Sequence, residues 1–131
     1  MNVALRILIV DDMPAVRLIL RNMLENAGYR DVTEAEDGDF AWELIRATVE
    51  GDGSPFDLVI SDWTMPRMTG VDLLRAMRGS AHTRDIPVLI VTAQGDQAHV
   101  SEAMDAGATD YVVKPFSAQS LADKIREVTS R

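Results

Sequence analysis

Three carboxylates in this chain follow apolar segments of the kind that form strands. Asp11 and Asp12 come directly after the apolar run at residues 7–10, and Asp62 closes the segment that begins with the run at 58–60. A hydroxyl and an ammonium, those of Thr92 and Lys114, follow two further runs in the same way. Together these groups could bind a divalent cation and the oxygens of a phosphoryl group.

The carboxylates restrict what the site could hold. Two carboxylates about 5 Å apart repel by about 3 kcal/mol at an effective dielectric near 20, so a cluster of three requires a cation or raised pKa values. Hard oxygen ligands favour Mg²⁺ or Mn²⁺ over zinc, and the chain has no cysteine. Carboxylates are known covalent acceptors. Asp62 is the candidate nucleophile, because Asp11 and Asp12, which are neighbours in the sequence, are available to hold metal. Thr92 and Lys114 would contact phosphate oxygens.

Each of these residues also has an ordinary structural explanation. Asp12 could cap a helix, the Thr92 hydroxyl could bond to the local backbone, and Lys114 could be a solvated amine. The joint pattern favours a site, because ligands of open α/β sheets bind beyond the carboxyl ends of the strands.

The elements that would position these residues alternate between strands and helices. Continuous β-branched runs suit strands buried on both faces, and a more polar run suits an edge strand. The four apolar runs lie at 7–10, 58–60, 88–91 and 111–113, and the polar one lies at 32–35. Amphipathic patterns predict a helix after each strand. The chain is therefore predicted to form an α/β fold, a doubly wound (βα)5 sandwich around a parallel sheet.

Local signals place the ends of two helices. The first is predicted to begin at Pro14 and to stop at Gly28, and Ser117 is the predicted N-cap of the last. The apolar face of the first helix comprises Val16, Ile19, Leu20, Met23, Leu24 and Ala27.

Composition sets the class of protein. A length of 131 residues suits one domain, predicted to span residues 1–131. The net charge of −8 argues against a nucleic-acid partner. No apolar run is long enough to cross a bilayer, and the first residues lack the layout of a signal peptide, so no membrane partner and a cytoplasmic location are expected.

Ordered motifs along nearly the whole chain resemble those of the receiver domain of response regulators, and most closely its single-domain chemotaxis members. These motifs are Asp11-Asp12, the stretch at 61–66 with Gly70, Thr92-Ala93 and Lys114-Pro115-Phe116. The resemblance implies a flavodoxin-like fold with strand order 2-1-3-4-5. It also implies that Asp62 accepts phosphate from a histidine kinase. Mg²⁺ would be held by Asp11, Asp12, Asp62 and the backbone carbonyl of Thr64, while Thr92 and Lys114 would contact the phosphoryl group.

The resemblance further implies a switch rather than an enzyme. Tyr111 would turn inward as Thr92 moves toward the phosphate, and this would remodel the face formed by helix 4, strand 5 and helix 5. The expected partners of a monomeric protein are a histidine kinase and an output protein such as a flagellar motor switch protein, with a phosphatase as a further candidate. Lys114-Pro115 is expected to be a cis peptide. Thr64 and Gln94 differ from the Asn and Glu of the best-studied chemotaxis pattern, which leaves the phosphoryl lifetime open.

Other functions remain as alternatives. The protein could be a phosphate shuttle or sink in a phosphorelay outside chemotaxis, or a pseudo-receiver used only for protein interaction. A haloacid-dehalogenase-like phosphatase would need a second acid two residues after its nucleophile, where this chain has Thr64. A flavodoxin-like ligand-binding module would need a Ser/Thr/Gly-rich phosphate loop where this chain has Asp11-Asp12.

Overall fold

The computed structural model describes residues 4–51, 55–63, 68–93 and 97–130. In this part of the chain, five strands alternate with five helices, as the hydrophobic patterns predict. The elements are β1 (Arg6–Val10), α1 (Pro14–Asn26), β2 (Asp31–Ala35), α2 (Gly38–Glu50), β3 (Leu58–Asp62), α3 (Gly70–Arg78), β4 (Val88–Ala93), α4 (Gln97–Asp105), β5 (Asp110–Lys114) and α5 (Ala118–Thr129). None of these helices is long and apolar enough to span a lipid bilayer.

The strands form one parallel sheet in the order β2-β1-β3-β4-β5, which confirms the predicted topology. Its register aligns the carboxyl ends of the strands. Val10 pairs with Ser61, and Asp62 pairs with Val91. Because the strands are parallel, the residues that follow these pairs lie at one edge of the sheet. Asp11, Asp62 and Thr92 are therefore brought to adjacent strand ends.

The core consists of two apolar clusters, one on each face of the sheet. Leu8 and Val10 point toward the helices α2, α3 and α4, whereas Ile7 and Ile9 point toward α1 and α5. All four side chains are buried. Since successive side chains of a strand point to opposite faces, covering both faces requires an uninterrupted apolar run. This requirement explains the continuous patterns from which the strands were predicted.

The helix ends agree with their predicted start and stop signals, whereas α1 differs from expectation in its N-cap and in the extent of its buried face. Ser117 caps α5 as predicted, because its hydroxyl accepts the Ser120 N–H at 3.0 Å. Met13 occupies the N-cap position of α1, where no side chain caps the helix, so Asp12 does not cap it. Ile19 is 52% exposed although it falls on the predicted apolar face. The apolar face of α1 is thus wider than its contact with the sheet, which buries Leu20 and Leu24.

Candidate functional site

The carboxylates of Asp11, Asp12 and Asp62 form an acidic cluster at the carboxyl edge of the sheet. Each offers an oxygen, and these oxygens all lie within 4.8 Å of one another. Asp11 is buried, Asp62 is half-buried and Asp12 is exposed. The cluster arises because β1 and β3 are neighbouring parallel strands whose acids follow immediately after paired residues. Three carboxylates this close could hold a divalent metal ion.

The backbone and side chain of Asp11 are fixed by hydrogen bonds. Its N–H donates to the carbonyl of Ala35 at 3.1 Å, and its Oδ1 accepts the N–H of Met13 at 2.9 Å. Burial raises the pKa of Asp11, and the negative charges of Asp62 and Asp12 add to this rise. The Met13 hydrogen bond and the charge of Lys114 act in the opposite direction. A cation between these carboxylates would relieve both the burial cost and the repulsion.

Lys114 supplies the positive charge of the site. Its Nζ lies 3.8 Å from Asp62 Oδ1, an oxygen that also accepts the N–H of Trp63 at 2.8 Å. The Lys114-Pro115 peptide is cis, as predicted. Lys114 is thus not a solvated amine remote from the acids. Its position suits an ammonium that contacts both a carboxylate and a phosphate oxygen.

Thr92 presents a buried hydroxyl to the same edge. The residue is 2% exposed, and its Oγ1 has no hydrogen-bond partner among the residues that the structure describes. The alternative of a local bond to the backbone is therefore wrong within this part of the chain. An unpaired buried hydroxyl costs about 1–3 kcal/mol, which a ligand oxygen would offset. The acidic cluster, the ammonium and this hydroxyl fit Mg²⁺ together with a phosphoryl group.

Tyr111, the predicted switch residue, lies on β5 and is half-buried. It packs against the same apolar cluster as Trp63 and Ala103, the cluster on the α2, α3 and α4 side of the sheet. Two of the residues discussed above, Thr64 and Gln94, lie outside the described residues. The predicted carbonyl ligand of Thr64 and the effect of both residues on phosphoryl lifetime stay predictions.

Gly70 contributes to the site in a way that the sequence analysis missed. Its N–H donates to the carbonyl of Trp63 at 3.1 Å, and a Cβ at this position would lie 2.4 Å from the carbonyl oxygen of Asp62. Only a glycine lets α3 approach the segment at Asp62 this closely. The glycine itself was the available signal, since it belongs to the motifs shared with receiver domains, but spacing along the chain could not show which atoms it approaches.

Similarity to known proteins extends over nearly the whole chain. It matches the family model for the response regulator receiver domain over residues 7–126. It is 42% identical over 127 residues to the chemotaxis protein CheY of Pseudomonas aeruginosa, a match that covers 97% of this chain and 98% of the relative. It is 38% identical over 131 residues to chemotaxis protein CheY-3 of Vibrio cholerae, which covers 100% of this chain and 96% of the relative.

Solved structures agree in fold. The chemotaxis response regulator CheY4 of Vibrio cholerae matches with a TM-score of 0.84 at 31% identity, covering 95% of this chain and 98% of that chain. The signal receiver domain of a signal transduction histidine kinase from Syntrophus aciditrophicus matches with a TM-score of 0.85 at 32% identity, covering 97% and 91%. The chain therefore belongs to the family of response regulator receiver domains.

Proposed function

We propose that this protein is a phosphoacceptor switch of a two-component system, in which Asp62 takes a phosphoryl group from a histidine kinase. The observation that supports this most is the grouping of unlike charges around one carboxylate. The oxygens of Asp11, Asp12 and Asp62 lie within 4.8 Å of one another, and the Lys114 ammonium lies 3.8 Å from Asp62. The unpaired Thr92 hydroxyl at the next strand end adds a donor for a phosphate oxygen.

The proposed reaction is a transfer between two nucleophiles. A carboxylate oxygen of Asp62 attacks the phosphorus of a phosphohistidine, so that a P–O bond forms and the P–N bond breaks. The electron pair of the broken bond stays on the imidazole nitrogen, which takes up a proton. Lys114 and Thr92 would then hold phosphoryl oxygens.

The carboxylates of Asp11, Asp12 and Asp62 would hold Mg²⁺, or Mn²⁺, together with the Thr64 carbonyl. When bound, the metal ion would neutralise charge on the transferring group. Of the two acids that flank the acceptor, the buried Asp11 is positioned by its backbone contacts, whereas the exposed Asp12 is the one in contact with water.

The signal would leave the protein through the face formed by α4, β5 and α5. Thr92 would move toward the phosphoryl group, and Tyr111 would fill the space that it vacates. Reversing a 1:99 equilibrium to 99:1 requires about 5.5 kcal/mol of differential stabilisation. Such a protein acts by shifting a population and releases no product of its own beyond the phosphate.

Chemotaxis is the proposed setting, because relatives with 37–42% identity are named as chemotaxis proteins. The partners would be a histidine kinase, a flagellar motor switch protein and a phosphatase, in the cytoplasm and with this chain as a monomer. A phosphate shuttle is the second candidate. It is favoured by the equally good structural match to a receiver domain of a histidine kinase.

Phosphorylation of the intact protein tests the proposal. Wild type, Asp62→Asn and Asp85→Asn are incubated with acetyl phosphate and Mg²⁺, and covalent phosphate is measured by intact-mass spectrometry. Asp85 is an exposed acid outside the site and serves as the matched control. We expect phosphate on wild type and Asp85→Asn and none on Asp62→Asn. Phosphate on wild type and on both variants would place the acceptor elsewhere, and phosphate on none of the three proteins would support a pseudo-receiver.

A second experiment separates the output switch from the shuttle. Phosphorylated protein is mixed either with a flagellar motor switch protein or with a histidine phosphotransfer protein. Binding to the first that is lost in Tyr111→Ala supports the switch. Transfer of phosphate to the second, with no gain in binding to the first, supports the shuttle.

A further inference from the structure

Arg17 joins α1 to the backbone of Asp11, the first residue of the segment at 11–13 that connects β1 to α1, called the Asp11 loop below. Its Nη1 donates to the carbonyl of Asp11 at 2.6 Å, and its Nε donates to Glu34 Oε1 at 3.0 Å. Its side chain is only 15% exposed, and that of Glu34 is 32% exposed. One planar guanidinium thus links the helix after the loop with the strand beside it.

The Arg17 contact completes the fixation of Asp11. The N–H of Asp11 is bound by Ala35, its Oδ1 is bound by the Met13 N–H, and its carbonyl is bound by Arg17. These bonds restrain both peptide groups of Asp11 and one of its carboxylate oxygens. The direction of the second carboxylate oxygen is thereby fixed as well. Arg17 donates to the backbone carbonyl of Asp11 and not to its carboxylate. Arg17 therefore affects metal binding through the position of the Asp11 carboxylate.

We propose that Arg17, oriented by Glu34, is a positioning residue that sets Asp11 for metal binding. This inference rests on the proposed function, because it assumes that the acidic cluster holds Mg²⁺. The physical basis is general: groups that orient the ligands of a metal contribute strongly to its affinity, although they do not touch it. The fork geometry of arginine suits the role, since it fixes two acceptors in one plane.

Arg21 provides a matched control within the same helix. It also donates one N–H to Glu34, to Oε2 at 2.7 Å, and another to a backbone carbonyl, that of Val32 at 2.9 Å. The two arginines therefore make the same kinds of bond to the same carboxylate. They differ in the carbonyl that they bind, which is that of Asp11 in the Asp11 loop for Arg17 and that of Val32 within β2 for Arg21.

The test compares Arg17→Met with Arg21→Met, because methionine keeps an unbranched stem and removes every donor. Both variants are made in a Trp42→Phe background, so that Trp63 beside the acceptor is the only tryptophan. Mg²⁺ is titrated while Trp63 emission is followed, and calorimetry measures the same affinity independently. The free energy of unfolding is measured in urea without Mg²⁺.

We expect Arg17→Met to bind Mg²⁺ about tenfold more weakly and Arg21→Met to bind it as wild type does. Both variants should lose similar amounts of stability. Saturating Mg²⁺ should return Arg17→Met to the wild-type rate of phosphorylation by acetyl phosphate, because the acceptor itself is unchanged. If Arg17→Met does not fold, Arg17→Lys is used, and we expect about threefold weaker binding because an ammonium lacks the planar fork.

Other outcomes overturn the inference in distinguishable ways. Unchanged affinity in Arg17→Met, or in Arg17→Lys where that variant is used, rules out the positioning role but leaves the proposed function intact. Equal losses of Mg²⁺ affinity in Arg17→Met and Arg21→Met show that the helix contributes only general stability. No Mg²⁺ binding by wild type in either measurement overturns the metal site itself, and the proposed function with it.

Discussion

The indole ring of Trp63 stacks on the imidazole ring of His99, with the ring centroids 5.2 Å apart and the planes inclined by 30°. Trp63 directly follows Asp62, the proposed phosphoacceptor, and His99 lies on α4. The stack is therefore a direct contact between the end of β3 and a helix of the proposed output face. An isolated histidine on a helix carries no local signal, so the amino-acid sequence alone does not point to His99.

His99→Ala is expected to lower the free energy of unfolding by about 1 kcal/mol, since a stacked ring pair contributes roughly that beyond its buried area. Trp63 should become more exposed, so its emission should shift to longer wavelength in the Trp42→Phe background. His99→Phe is the control and should retain most of the stability. Urea unfolding and emission spectra check this prediction, and unchanged values in His99→Ala would contradict it.

Thr92→Val should separate stability from function. Because the Thr92 hydroxyl is buried with no partner among the described residues, removing it should raise the free energy of unfolding by about 1 kcal/mol. Phosphorylation by acetyl phosphate should slow, since the hydroxyl proposed to donate to the phosphoryl group is lost. Thr83→Val is the matched control, because the Thr83 hydroxyl is equally buried but donates to the Met77 carbonyl at 2.6 Å.

The Thr83→Val control should lose about 1–3 kcal/mol of stability, because it leaves the Met77 carbonyl without the Thr83 hydroxyl as donor. It should keep the wild-type rate of phosphorylation. Denaturant unfolding and the rate of mass increase test both variants. If Thr92→Val and Thr83→Val were equally destabilised, the Thr92 hydroxyl must already be satisfied in the folded protein.

Gly70→Ala is expected to destabilise the protein by about 1–3 kcal/mol, because the added methyl group would collide with the backbone at Asp62. The nearest atom to that Cβ would be 2.4 Å away, against 3.3 Å for the corresponding atom at Gly79. Gly79→Ala, at the other end of α3, should therefore cost less. Thermal unfolding of both variants makes the comparison, and a Gly70→Ala as stable as wild type would argue against the close approach.

Glu34 should make stability depend on pH in the acid range. Hydrogen bonds from Arg21 and Arg17 hold the pKa of Glu34 below its ordinary value of 4.5, against the effect of burial. The unfolded chain therefore binds a proton at higher pH than the folded protein does, and folding stability rises with pH through this window. The contribution of Glu34 is present above pH 4.5 and is lost as the pH falls through its lowered value.

Glu34→Gln should accordingly be less stable than wild type by about 1 kcal/mol at neutral pH. The difference should shrink below pH 4.5, as Glu34 becomes protonated in wild type. Glu25→Gln is the control: its pair with Arg21 is 3.8 Å long and exposed, so little change is expected. Urea unfolding across the acid range without Mg²⁺ provides the measurement, and a difference independent of pH would contradict the prediction.

Several features follow from the amino-acid sequence alone, because they depend on neighbours along the chain. Side-chain alternation in a strand and the repeat of a helix act over a few residues, and they place the elements around Ile9, Ile60 and Leu121 correctly. The Ser117 cap is local in the same sense. The residue types of the acidic cluster, the hydroxyl and the ammonium could also be read directly, since each follows an apolar run.

Tertiary structure decided the features that join distant parts of the chain. That Gly70 meets the carbonyl of Asp62, and that Trp63 meets His99, depends on how α3 and α4 pack against the sheet, and no short-range pattern encodes this. The exposure of Ile19 likewise depends on the width of the contact that α1 makes. The sequence by itself determined which chemical groups stand at the strand ends. Packing decided which of those groups are buried, paired or restrained, because burial and hydrogen bonding are properties of the assembled elements and not of any one of them.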